Sequence, residues 1–147
     1  MTDPSPAATD PALSLDYYPH HHHVTLRQSD GLGDEGHVPN GTLAVLCDDA
    51  RQDVYTHIIG DRIRSHAIHL VEINFRFLHE VTYPGSLTIG VGIVAIGNSS
   101  MQQVIGFFRD GRCHVLCRVA SVKTADGRSA PLTDAERARA QAFLVSG

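Results

Sequence analysis

The chain lacks any cluster of Lys or Arg, and its formal net charge is −4. With no basic stripe to track phosphates, a nucleic-acid partner is not expected. It also lacks a long apolar run; nothing approaches the roughly 20 residues that cross a bilayer. The opening "MTDPSPAATDPALSLD" has neither a basic start nor an apolar signal core. Together these absences predict a cytoplasmic protein with no membrane partner. Cysteine is scarce: three residues, an odd count, with no CxxC spacing, which speaks against a disulfide framework and a zinc knuckle. Cys113 and Cys117 lie in the strand-like "RCHVLCRV". They are expected on one face of that strand, as small buried hydrophobes.

What is present describes one globular domain. Of 147 residues, 42% are apolar and 19% charged, enough for a single core. Residues 1–18 carry Pro4, Pro6 and Pro11 among Ala, Ser and Asp. They are expected to form a flexible N-terminal arm, with residues 19–147 as the folded domain. Strand-like sequence starts at "HHHHVTLRQ", a Gly/Asp-rich loop follows over 29–40, and a helix is predicted over Gly41–Ile59, closed by Gly60.

The pattern then changes to period two. "AIHLVEINFRFLHEV" places His69, Val71, Ile73, Phe75 and Phe77 on one face, and "SLTIGVGIVAIG" places Leu87, Ile89, Val91 and Ile93 likewise. "MQQVIGFF" and "CHVLCRVASVK" add two strands around the hairpin turn "RDGR". A last helix is predicted over 133–145, where Thr133 and Glu136 make a capping-box pair. Hairpin-linked strands imply an antiparallel sheet, and one long helix can cover one face of it. The fold class is therefore α+β.

Two acids stand near the middle of the predicted helix. Leu43, Leu46, Cys47, Ala50, Val54 and Ile58 fall on one stripe, expected to face the sheet. Asp49 shares an outer flank with Asp53 and reads as solvated. Asp48 shares its flank with Ala44, Gln52 and Tyr55, beside Val45 and Ile59. That flank is apolar enough to suggest a second packing surface and a partly desolvated carboxylate. The free N–H groups near Asn40 and Gly41 make a positive helix end two turns away.

"SDGLGDEGHVPNGTLAVLCDDAR" resembles the hotdog-fold acyl-CoA thioesterases, whose pattern runs D-x-D-x-x-G-H-V-N-N and then E-x-A-R. Gly36, His37, Val38 and Asn40 match, Pro39 replaces the first Asn, and Asp48, Ala50 and Arg51 fall in register with E-x-A-R. The resemblance covers roughly residues 24–126 and includes the hairpin "FFRDGR". It implies a hotdog fold, a homodimer or homotetramer, an active site at the subunit interface and acyl-CoA (or acyl-carrier-protein) thioesters as substrates. No cofactor and no metal are expected. By position, the Asn40 amide polarises the thioester carbonyl, Asp48 is nucleophile or general base, and Gln52 holds the attacking water. His37 and Gly41 bind substrate beside that turn. Arg62 and Arg64 are candidates for the phosphates of coenzyme A, as are Arg109 and Arg112. Ungapped alignment puts Gly33 where the family's loop Asp stands, so Asp34 is a second candidate acid, one residue late.

Two further readings share the fold: a non-catalytic module that binds acyl thioesters, and a hydratase or dehydratase. The last calls for an Asp/His pair set for proton transfer, which the sequence does not display. In "HHHH", His20 and His22 are expected on one side of a strand and His21 and His23 on the other. Two histidines and no third ligand make a poor metal site.

Overall fold

The computed structural model describes residues 10–31, 36–60 and 68–146. Strand β1 (His20–Thr25) precedes helix α1 (Asn40–Ile59). Strands β2 (Ile68–Phe77), β3 (Ser86–Ile96), β4 (Ser100–Arg109), β5 (Arg112–Ala125) and the two-residue β6 (Arg128–Ser129) follow, and helix α2 (Asp134–Gln141) closes the chain. The sheet is antiparallel, ordered β1-β3-β4-β5-β2, with β6 paired to β5. β1 and β2 thus stand at opposite edges. The chain between them has to cross one face, and α1, about 30 Å long at 1.5 Å per residue, makes the crossing. The result is the hotdog arrangement, a curled sheet around one long helix with a short C-terminal helix.

The expected stripe of α1 is the buried one: Leu43, Leu46, Cys47, Ala50, Val54 and Ile58 pack against Ile89, Val91 and Ile93 of β3, Ile105 and Phe107 of β4, and Val115, Cys117 and Val119 of β5. Gly60 closes the helix at φ +75°, a conformation that costs glycine little. Tyr55 and Ile59, expected on an outer flank, are inside this core as well. The hairpin turn at Asp110-Gly111 has both residues at positive φ, and Asp126-Gly127 repeats it. Paired positive φ is what a two-residue turn of primed type requires.

Four expectations are corrected. Cys113 and Cys117 face opposite sides: Cys117 is in the helix-side core and Cys113 in a second cluster on the outer face. A register shift at Phe107/Phe108, where Phe108 opposes Cys113 and Phe107 opposes Val115, inserts one residue and flips the alternation. In β2, Ile73 and Phe75 are half-buried, but His69, Val71 and Phe77 are exposed. This strand is an open edge with its own register shift at Leu70/Glu72.

Residues 10–18 form no loose arm. They make two 3-10 turns, and Ala12 and Tyr18 are buried against Val104, Phe108 and Leu116. The Tyr18 ring occupies space left by Gly90 and Gly106, where a Cβ would approach it to 2.5 and 2.8 Å. Finally, α2 ends at Gln141, short of 145. β1 pairs with β3 no further than Val91, and the vacant edge beyond is taken by the C-terminal segment: Ile93 N–H donates to Phe143 O, and Val145 N–H to Ile93 O. Among the described residues no helix is long and apolar enough to cross a membrane.

Candidate active site at the start of the long helix

Gly36–Val38 runs antiparallel to Val81–Tyr83. Val38 N–H donates to Val81 O at 3.0 Å, Tyr83 N–H to Gly36 O at 2.6 Å, and His37 bridges to Thr82. The contact is close enough to demand glycine: at Gly36, φ +66°, a Cβ would lie 2.4 Å from Tyr83 O. This pairing sets the angle at which the chain enters α1.

The helix then begins without a cap. Pro39 precedes it with no side-chain hydrogen bond, and its first turn holds no acid. Leu43 N–H bonds to Pro39 O; the N–H groups of Asn40, Gly41 and Thr42 come too early for an α-type partner. They form a positive helix end that faces no negative side chain of its own turn. Against it lies a cavity of about 280 Å³. Val38, Leu43 and Val81 supply buried apolar walls, Phe77 and Leu78 extend them, and Asn40, His37, His79 and Glu80 bring the polar groups. His37 Nδ1 donates to Glu80 Oε1 at 2.7 Å, which orients the imidazole at the cavity. Chemically, this is an apolar slot that ends at backbone amides of the kind that can stabilise a developing oxyanion.

The cavity thus brings Asn40 and His37 together, with Gly41 beside Asn40 in the first helical turn but not in the lining, and adds Phe77, Glu80 and Val81, which the sequence reading missed. Phe77 ends β2 and the other two follow it, and all three come near because the 81–83 segment pairs with Gly36–Val38; no local signal marks them.

Asp48 is elsewhere. Eight residues of helix separate it from Asn40, about 12 Å, and it does not line the cavity. Its side chain is 63% exposed and ion-paired with the buried Arg51, so the partly desolvated carboxylate expected from the helical wheel is not found on the single chain. Gln52, one turn on, is also exposed. Arg62, Arg64 and Asp34 lie outside the described residues. Arg109 lines a larger cavity of about 640 Å³ between β1 and the β4–β5 hairpin, and its Nη1 reaches Thr82 Oγ1 at 3.4 Å, the residue paired with His37. That cavity is wider but holds no helix terminus, and Asp110 offsets the arginine at its rim.

The histidines of β1 divide as expected. His20 and His22 both contact Asp53 Oδ2, at 3.4 and 2.7 Å, while His21 meets Leu15 O and His23 meets Thr88 Oγ1. Among the described residues no three His, Cys, Asp or Glu side chains are arranged to hold a metal ion.

With this fold and cavity in place, the chain belongs to the thioesterase-like superfamily, whose family model matches residues 24–140. No curated protein matches it. Among solved structures it is similar to the PA5185 protein of Pseudomonas aeruginosa strain PAO1, at 21% identity over 91% of this chain and 97% of that one, with a TM-score of 0.81. It is similar also to a thioesterase from Thermus thermophilus complexed with coenzyme A and Zn (24% identity, 86% and 95% covered, TM-score 0.77). A third is Slr0204, a 1,4-dihydroxy-2-naphthoyl-CoA thioesterase from Synechocystis (14% identity, 82% and 94% covered, TM-score 0.72). At these identities the likeness is one of fold.

Proposed function

We propose that the protein hydrolyses acyl-CoA thioesters to the free acid and coenzyme A, working as a homodimer or homotetramer. The observation that carries this reading is the uncapped start of α1 opening onto an apolar cavity. The carbonyl oxygen sits at the Asn40 N–H and the acyl group lies against Leu43, Phe77 and Val81. His37, held by Glu80, and Gly41 line the approach, and Arg62 and Arg64 meet the phosphates of coenzyme A.

Two features support a second copy of the chain. β2 is a ten-residue open edge with Leu70 46%, Val71 65% and Phe77 50% exposed, and Val45 on α1 is 59% exposed. Bare apolar edges of this kind invite pairing. The second feature is the distance of about 12 Å between Asn40 and Asp48 along one helix. Two copies of α1 crossing antiparallel would bring Asp48 of one to Asn40 of the other. There, water adds to the thioester carbon and passes a proton to Asp48, with Gln52 holding the water, while the Asn40 amide stabilises the oxyanion. Collapse breaks the C–S bond, and the departing thiolate takes the proton back from Asp48.

A panel of aliphatic and aromatic acyl-CoA esters with a free-thiol readout tests the reading. Thiol release that disappears in Asp48→Asn is the expected result. Saturable binding of the esters without thiol release would make the protein a binding module.

A further inference from the structure

Between α1 and the sheet lies a polar cluster that an apolar core has no use for. Arg51 is 6% exposed, Tyr55 5%, Gln103 1% and Ser121 0%. The Tyr55 hydroxyl donates to Gln103 Oε1 at 2.6 Å and accepts from Arg51 Nη1 at 3.3 Å, and the Ser121 hydroxyl neighbours it. Burial raises the pKa of Tyr55 against the pull of Arg51, so the phenol stays protonated and keeps donating. Burial also works against the Arg51 charge, but its neighbours, the Asp48 carboxylate among them, outweigh it and the guanidinium pKa is raised. From this cluster one arm reaches the surface: Arg51 Nη2 donates to Asp48 Oδ1.

The cluster is a burden to the fold. Among the described residues Arg51 Nε and Gln103 Nε2 are buried with no hydrogen-bond partner, and an unsatisfied buried polar atom destabilises. Apolar side chains of similar volume in such places are commonly neutral or stabilising. The arrangement makes sense through what it holds. A carboxylate on an exposed helix face samples several rotamers; one held by an immobile guanidinium has its orientation settled before substrate arrives.

We propose that Arg51, anchored by Tyr55 and Gln103, is a positioning residue for the reaction: it holds Oδ1 of Asp48 and leaves Oδ2 as the oxygen that faces water at the neighbouring site. This rests on the reading of Asp48 as the reacting acid.

The test uses three volume-matched variants of the full chain, Arg51→Met, Tyr55→Phe and Gln103→Met, alongside Asp48→Asn. For all three, the melting temperature equals or exceeds that of the wild type. Turnover of the best acyl-CoA ester falls, by about 100-fold for Arg51→Met and roughly 10-fold for Tyr55→Phe, with KM within about twofold. Activity and stability that fall together point to an ordinary structural role and overturn the proposal. So does unchanged kcat in Arg51→Met and Tyr55→Phe while Asp48→Asn is inactive, and that outcome leaves the hydrolase reading intact. Full activity in Asp48→Asn sinks the choice of acid, and the positioning role with it.

Discussion

Each helix of this protein contributes to an ion pair with a buried cation, and the two pairs are built differently. In the pair at α2, Lys123 Nζ donates to Glu136 Oε1 at 2.6 Å and to Pro131 O at 3.2 Å. Glu136 Oε1 also accepts from Thr133 N–H, and Thr133 Oγ1 accepts from Glu136 N–H, so the pair is welded into the helix cap. Both side chains are 5% exposed. In the pair at α1 the cation is buried but its acid is 63% exposed, and two polar atoms behind it, Arg51 Nε and Gln103 Nε2, have no partner among the described residues. A pair that satisfies its own groups holds a fold together. A pair that leaves groups unsatisfied and presents its acid outward fits the positioning role proposed above.

Charge deletion at each pair sharpens the contrast. Asp48→Asn is expected to have the largest effect on turnover, a loss of about 10²–10⁴-fold in kcat. Its melting temperature falls less than that of the next variant, because the amide oxygen that replaces the carboxylate still accepts from the buried Arg51 and half-exposed pairs contribute little to stability. Lys123→Met strands the Glu136 carboxylate in the interior and is expected to cost about 3–5 kcal/mol, lowering the melting temperature by roughly 10 °C. Turnover per folded molecule at low temperature is unchanged. If calorimetry and thiol-release assays return the opposite pattern, with Asp48→Asn unstable or Lys123→Met inactive while folded, the functional division between the pairs is wrong.

Acid provides a gentler way to separate them. Burial would raise the Glu136 pKa, but the Lys123 ammonium and the Thr133 amide outweigh it and hold the group below the usual carboxylate value. The Asp30 pKa is lowered as well, chiefly by the Arg27 backbone N–H. A carboxyl whose folded pKa is depressed adds stability that is fully present above its unfolded pKa, about 4, and is lost as pH falls through the folded value. The melting temperature should therefore hold from neutral pH to about 5 and fall below about 4. In Glu136→Gln the wild type should lose its advantage across that window; an equally steep acid limb in the variant would assign the loss to other groups.

Legibility followed the range of the interactions involved. The α1 stripe, its Gly60 stop, the Asp-Gly turns and the Thr133–Glu136 cap all depend on residues within a few positions of one another, and each could be read. That Asn40 and His37 stand at one cavity was legible for the same reason, both lying on one contiguous motif. What failed depended on distant partners. The faces of Cys113 and Cys117 are set by a bulge opposite Phe107 and Phe108, and Glu80 reaches His37 across 43 residues. The Arg51 cluster left one trace: Gln103 alternates with Met101 and Ile105 on the core-facing side of β4. A polar residue there signals a buried partner but does not say which.

The two faces of the sheet allow the same contrast on a smaller scale. The helix-side face is filled by long apolar side chains, whereas the outer face depends on a ring lying over two glycines. Tyr18 donates its hydroxyl to Ala12 O at 2.7 Å and makes edge contact with Phe108, which ties residues 10–18 to β3 and β4. Tyr18→Phe keeps the ring and the packing but removes the bond, so the expected loss is about 1 kcal/mol, the smallest effect considered. It should appear in denaturant unfolding with an unchanged slope, and in faster proteolysis near Ala12, with catalysis unaffected. A loss several times larger would mean that the bond, and not the ring against Gly90 and Gly106, secures the segment. No loss would mean that the ring alone suffices, and Gly90→Ala, which drives a methyl into that ring, becomes the variant that frees the segment.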